Sequence, residues 1–439
     1  MKKTNHTVLK AKLMAMCFLQ FAVWGAYLTS MGNYLGNAGM GDLIAWFFAI
    51  QGFVCLIMPA LVGMIGDKYV EPQRLLGLCH LLAGATMAAC WWMGYQYPHP
   101  DRALFVTLYT LSTAFFMPTV ALSNSVSFRL LRANGMDTVK QFPRIRVFGS
   151  IGFIAAMIFV NFAYLRDGHF GFSMDGTDRF QFQCWQFLTS AILSFILCAY
   201  TFALPRIKIA AGGQQQSLYA RLGLNALSIF KQSRIVVFFI FSVMIGMCLK
   251  VTNGYAAPFI TSFMSQPEYA TGFGASNANL LNSLAQCSEA VCILFVPFFM
   301  RRYGVKATLV IAMAAWVLRF GTFAVGNPGS GMWLLIVSMI VYGIAFDFFN
   351  IAGAIYIEQS TDKTITASAQ GLWMMSTMGI GASVGTLIAG KIIDYYCHWE
   401  KGTGGIAYLV GDWGAVWGIF SVFSLILCIA FCLTFKPKQ

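Results

Sequence analysis

About a dozen times along its 439 residues the chain runs apolar for roughly twenty positions, breaks briefly at Lys, Arg, Gly or Pro, and runs apolar again. An α-helix rises ~1.5 Å per residue, so a run of ~20 crosses the ~30 Å hydrocarbon core of a bilayer. Backbone polar groups find no water there, which leaves helices and closed barrels as the spanning forms, and these runs lack the short alternation of barrel strands. The pattern predicts an all-α integral membrane protein. Composition agrees, since 58% hydrophobic residues against 10% charged, with a mean hydropathy of +0.68, are too apolar for a soluble domain. The first run, from about Leu13, is full length and lacks a small-residue cleavage site, so it reads as a crossing rather than a leader.

The predicted helices lie at about 13–35, 42–66, 75–95, 103–128, 146–165, 184–204, 235–261, 276–300, 306–326, 331–357, 368–393 and 413–435. The longest connection, 206–234, carries Gly212, Gly213 and Gln214 to Gln216 and divides the crossings six and six, giving bundles at 1–205 and 235–439. Two six-helix bundles facing each other fit the alternating-access plan of a secondary transporter. The formal charge of +13 falls mainly in the N-terminal tail and alternate loops, including Lys2, Lys3, Arg129, Arg132, Arg206, Arg234, Arg301, Arg302 and Lys436. That asymmetry is the positive-inside pattern: it predicts both termini in the cytoplasm and makes nucleic acid a poor partner. The twelve cysteines lie mostly in apolar runs without metal-ligand spacing and read as small packing residues.

Charged and polar residues inside the runs carry the functional signal. Residues 235–260 hold Lys250 and Asn253 on one helix face. A charge at membrane depth costs about 2.5–3.5 kcal/mol on the lenient scale, so Lys250 must face protein or water. The next run offers Gln286 and Glu289 at the same spacing, and these two faces are expected to meet across a polar cavity. A carboxylate there is a candidate proton-coupling group; the alternative is a permanent Lys250–Glu289 tie between helices. Arg146, Ser150 and Phe153 share a face of helix 5 at i, i+4 and i+7, fit to bond and stack a planar polar ligand, unless Arg146 is an interfacial residue with its head in water. On helix 10, Tyr342, Phe346, Phe349 and Asn350 line up beside Asp347, which is expected to pair with Arg319 of helix 9 as a structural or gating tie. Gln20, Trp24, Tyr27, His80 and Asn124 are further polar or aromatic candidates, His80 reading best as a hydrogen-bonded packing residue. Pro59, Pro118, Pro258 and Pro297 inside helices invite bends, and Gly381 and Gly385 suit close helix packing. Neither a metal cluster nor a catalytic motif such as GxSxG appears, and no cofactor is expected.

Gly63 to Tyr69, with Asp67 and Lys68, resembles the signature of the major facilitator superfamily between helices 2 and 3, where it would act as a charge latch. More of the chain is similar to one branch of that superfamily, the nucleoside:proton symporters. The match is strongest at Phe18 to Gly25, Met58 to Gly63, Asn134 to Asp137, Arg146 to Phe153, Ser288-Glu289 and Ser338 to Asn350. The resemblance implies a twelve-helix fold in two bundles, working as a monomer in a bacterial cytoplasmic membrane and importing nucleosides with protons. It implies substrate contacts at Arg146, Ser150, Phe153, Asn253, Gln286, Glu289, Tyr342 and Phe346, and roles in proton coupling for Glu289 and Asp347. Ser150 stands where the family has threonine, keeping the hydroxyl. Lys250 stands where the family has glutamine, and this exchange of a neutral donor and acceptor for a cation bears on substrate range and on proton loading at Glu289. The rival readings are a carrier for another small polar or anionic solute in the same fold, and an integral-membrane enzyme, for which no catalytic cluster is visible.

Overall fold

The computed structural model describes residues 5–68, 70–207, 229–270, 272–361, 366–402 and 406–435. Eleven of its helices among these residues are long and apolar enough to cross a membrane. In chain order the crossings are α1 (His6–Gly25, resumed at Met31–Asn37), α2 (Ile44–Lys68), α3 (Pro72–Gln96), α4 (Arg102–Ala133), α5 (Thr138–Phe162), α6 (Trp185–Tyr200) and α7 (Ser233–Ser262). Then come α8 (Ala278–Cys292), α9 (Val296–Val325), α10 (Met332–Ser360), α11 (Thr366–Met374 continued by Ala382–Tyr396) and α12 (Trp413–Thr434).

Three departures from the expected helices have local causes. The eighth crossing is broken by a turn at 293–295, and Pro297 sits in the first turn of the restarted helix rather than inside one. A first turn has no intrahelical partner for its N–H groups, so proline is tolerated there. The chain reverses at Gly304, whose φ of 77° is left-handed, so residues 296–303 complete the eighth crossing and 305–325 form the ninth. In α11 residues Met375–Gly381 are wound as a π-helix. Pro59, Pro118 and Pro258 do lie within helices, and Gly381 and Gly385 lie against Val243 and Met247 of α7.

Two short hairpins, unanticipated by the apolar pattern, occupy the end of the molecule opposite the chain termini. β1 (Ala163–Arg166) pairs antiparallel with β2 (His169–Phe172) after α5, and β3 (Cys397–Lys401) pairs with β4 (Ala407–Gly411) after α11. The first half packs chiefly through α1 on α5, α3 on α4 and α6, and α2 on α4; the second through α9 on α10 and α12, α8 on α10, and α7 on α11. The connection at 208–228 lies outside the described residues, so the expected bundle boundary is not located there. A core of Phe, Tyr, Trp, Leu and Met side chains runs through the middle, while Trp92, Leu294, Ile426 and Leu433 stand exposed on the outside, as a lipid-facing surface requires.

Candidate functional site

The site grows from a close approach of α8 and α10. Gly343 faces Ser288 so tightly that a Cβ there would collide with its backbone, and the Ser288 hydroxyl donates to the Ile340 carbonyl. This contact brings Glu289 within electrostatic reach of Tyr342 and Asp347. From the other half, Arg146 enters the same field, interacting with both Glu289 and Asp347. Its guanidinium carbon stands 3.8 Å from the Phe21 ring centroid, so the arginine is drawn inward among rings rather than outward as an interfacial residue. The Tyr342 and Phe346 rings are stacked at 5.7 Å and 9°. Phe153, buried, meets Trp24 edge-on at 6.3 Å. Ser150, Asn253, Gln286 and Asn350 are half-buried, and Asn350, whose Nδ2 donates to the Phe346 carbonyl, lines the neighbouring cleft. A narrow cleft of about 10 Å³, room for about one water, lined by Leu249, Trp316, Phe346, Asn350 and Thr377, adjoins this cluster and includes part of the π-helical segment of α11. π-turns in long helices recur at functional sites.

Neither the alternative Lys250–Glu289 tie nor the expected Arg319–Asp347 tie is present, and other contacts take their place. Lys250 does not pair with Glu289. Its Nζ donates to Gln51 Oε1 of α2 at 3.2 Å and stands 5.1 Å from the Trp24 ring centroid; Gln51 Nε2 donates to the Tyr109 hydroxyl at 2.8 Å. The helix 7 lysine therefore crosses to the first half, and Glu289 has Arg146 as its cationic neighbour. Arg319 does not pair with Asp347 either. Its Nη1 donates to the Ser338 carbonyl at 2.6 Å, and its guanidinium carbon sits 4.6 Å from the Tyr342 ring centroid. Ser338 lies nine residues before Asp347, about 13 Å along the helix, so α9 presents its arginine too far toward the hairpin end for an ion pair. Arg319 Nε and Asp347 Oδ2 are buried without hydrogen-bond partners among the described residues.

The remaining candidates divide cleanly. His80, Gln20, Thr119 and Ser194 form a buried hydrogen-bonded chain inside the first half, with His80 Nε2 to Gln20 Oε1 at 2.9 Å and Gln20 Nε2 donating to Thr119 Oγ1 at 2.7 Å, which is packing of the expected kind. Asp67 and Lys68 end α2, but their side chains lie outside the described residues. Gln51, missed as a partner for Lys250, was visible as the single amide in an apolar run. No group of His, Cys, Asp and Glu among the described residues is arranged to hold a metal.

Comparison with known proteins places the chain among relatives over nearly its full length. A family model described as nucleoside H+ symporter matches residues 7–439. The xanthosine permease of Escherichia coli K12 is 38% identical over 97% of this chain and 95% of its own length. The nucleoside permease NupG of the same organism is 38% identical over 98% of this chain and 97% of its own. A crystal structure of nucleoside transporter NupG superposes with a TM-score of 0.83 at 36% identity, covering 98% of this chain and all of the other.

Proposed function

The chain belongs to the nucleoside H+ symporter family, with a major facilitator fold, and we propose from that premise that it imports nucleosides across the cytoplasmic membrane, coupled to protons. It is a multi-pass membrane transporter and not an enzyme. The observation that carries the substrate reading is that Arg146, brought in from the first half, lies within electrostatic reach of Glu289 and Asp347 without forming an ion pair with either, near the stacked Tyr342 and Phe346 rings. In this reading the rings of Phe153, Tyr342 and Phe346 hold the base, and Arg146, Ser150, Asn253, Gln286 and Glu289 bond the ribose and base edges. Glu289 and Asp347, two carboxylates sharing one cation, cannot both keep a charge at low cost, so protonation of one depends on whether Arg146 is engaged by substrate. The basic loops support termini in the cytoplasm and the hairpin end outside, and the chain works as a monomer.

Lys250 favours one part of the substrate class. An ammonium held by an amide oxygen and an aromatic face, rather than by a carboxylate, keeps its charge available for a ligand. Nucleosides whose base presents paired carbonyl or ionised oxygens, such as the dioxopurine xanthosine, fit that demand better than adenosine.

Uptake of labelled uridine, adenosine and xanthosine by reconstituted vesicles, with and without an imposed pH difference, tests the reading. Accumulation above equilibrium only with acid outside is expected. Inhibition by ribose or another sugar, but not by nucleosides, would establish the rival solute reading instead.

A further inference from the structure

Alternating access requires the halves to part at one end while they close at the other. At the hairpin end they are tied in both directions. The segment after α5 in the first half sends Arg179, fully buried, into the second. Its Nη1 donates to Asn277 Oδ1 at 2.8 Å and to the Asn161 carbonyl at 3.2 Å, its Nη2 to the Ser276 carbonyl at 2.6 Å, and its Nε to the Gly176 carbonyl at 3.0 Å. Asn161 Nδ2 adds a 2.8 Å bond to Asn277 Oδ1. The hairpin after α11 sends Trp399 the opposite way. Its ring fills a cradle at Gly36 and Gly41 of the first half, where a Cβ at either position would collide with the indole, and the Ala407 N–H donates to Asn37 Oδ1 at 2.6 Å. The two excursions occupy matching places, each between the fifth and sixth crossing of its half.

We propose that Arg179 and Trp399 form a reciprocal clasp that holds the hairpin end shut, and that its release is the step that opens the central chamber to that side. The chemistry suits a reversible fastening. The four acceptors of Arg179 are neutral oxygens, whose bonds water can replace as the gap floods, whereas a dry ion pair would have to be separated against its own Coulomb attraction. Burial pulls the Arg179 side chain down to about 10, with Asp175 and Asp178 opposing the shift, so it stays cationic at neutral pH and the clasp does not open with the proton gradient itself. Arg179 is thus a positioning residue: it acts on transport through the halves it joins, and never through the solute.

The test reads access directly, whatever the solute. Thr29, on the seam just inside the clasp through its bond to Asn279, is replaced in Thr29→Cys on a background whose twelve native cysteines are changed to serine or alanine. Intact cells are treated with a membrane-impermeant thiol reagent. Arg179→Ala and Trp399→Ala are expected to raise the labelling rate at least about fivefold, the low end of ordinary coupling between states. Arg102→Ala, which removes a cation paired with Asp42 within the first half at the same end, should leave it unchanged. Gly36→Ala, which pushes the ring out while leaving Arg179 and Trp399 in place, and the milder Arg179→Gln should also raise labelling, and serve if the alanine variants fail to accumulate. Labelling at the parental rate in Arg179→Gln and Gly36→Ala, with uptake unchanged or lost, would overturn the clasp and leave these residues a role in packing alone.

Discussion

At the hairpin end the buried guanidinium of Arg179 donates from each of its nitrogens to an oxygen, and the surrounding amides bind across the seam between the halves. Deep among the spanning helices the arrangement is different: Arg319 leaves Nε without an acceptor, Asp347 leaves Oδ2 without a donor, Trp24 leaves its indole N–H unused, and Lys250 has one amide oxygen for its three donors. An unmade hydrogen bond in a buried place costs about 1–3 kcal/mol, more for a charged group, so the chamber carries a standing demand at charged groups, whereas at the hairpin end the Arg179 cation is fully bonded and unmet atoms such as Asn161 Oδ1, Gln181 Oε1 and Asn279 Nδ2 belong to neutral amides. A fully bonded buried cation marks a region that holds one state, and charged groups left with unmet bonds mark a region that waits for something that comes and goes.

That contrast can be broken in the chamber without touching the clasp. The largest effect is expected from Glu289→Gln: proton-driven accumulation falls to simple equilibration while counterflow exchange persists, and thiol labelling from the hairpin side stays at the parental rate. Undiminished concentrative uptake would remove Glu289 from coupling. A smaller effect is expected from Lys250→Gln, which replaces the cation by the family's amide. Preference for xanthosine over adenosine in competition should fall by about tenfold, the equivalent of ~1.4 kcal/mol for one charge-assisted bond. An unchanged ratio would mean that Lys250 serves only to bridge α7 and α2. The smallest change should follow Ser150→Thr, which restores the family's hydroxyl with one added methyl group; half-saturation for nucleosides within about twofold of the parent would show that the hydroxyl, not the methyl, is what the position supplies. A tenfold change there would sharpen the site to a packing constraint on α5.

Much of the chamber could be read from the chain because hydropathy makes a charge in an apolar run conspicuous. Arg146, Lys250, Glu289, Arg319 and Asp347 all stood out for that reason, and the structure draws Arg146, Glu289 and Asp347 into one electrostatic field. Their partners could not be read in the same way. Helical spacing fixes which face a residue occupies but not the height at which two helices cross, so Arg319 was matched with Asp347 although its bond is to Ser338. The clasp was invisible for the opposite reason. Arg179 sits in a polar connection, where an arginine is ordinarily solvated, and its main partner Asn277 lies 98 residues away. The hairpins are only four or five residues per strand, too short for alternation to stand out. The break at 293–295 was legible only in part, since Pro297, which cannot bond the Ile293 carbonyl four residues before it, was read as a bend inside a helix, and no proline lies in the π-turn at Met375–Gly381 to announce it.

The three cations and two carboxylates deep in the bundle have an electrical consequence. With Glu289 and Asp347 both ionised the group carries a net charge of one, positive, and it gains one more with each proton a carboxylate takes up, all of it set among the spanning helices. One elementary charge moved through 100 mV is worth about 2.3 kcal/mol, so a positive surplus whose wet contact passes from one side to the other, and which changes by one when a proton is loaded or released, is worked upon by the potential in every cycle. A carrier built this way returns empty at a voltage-dependent speed, and an anionic cargo that cancels the surplus travels without that electrical load.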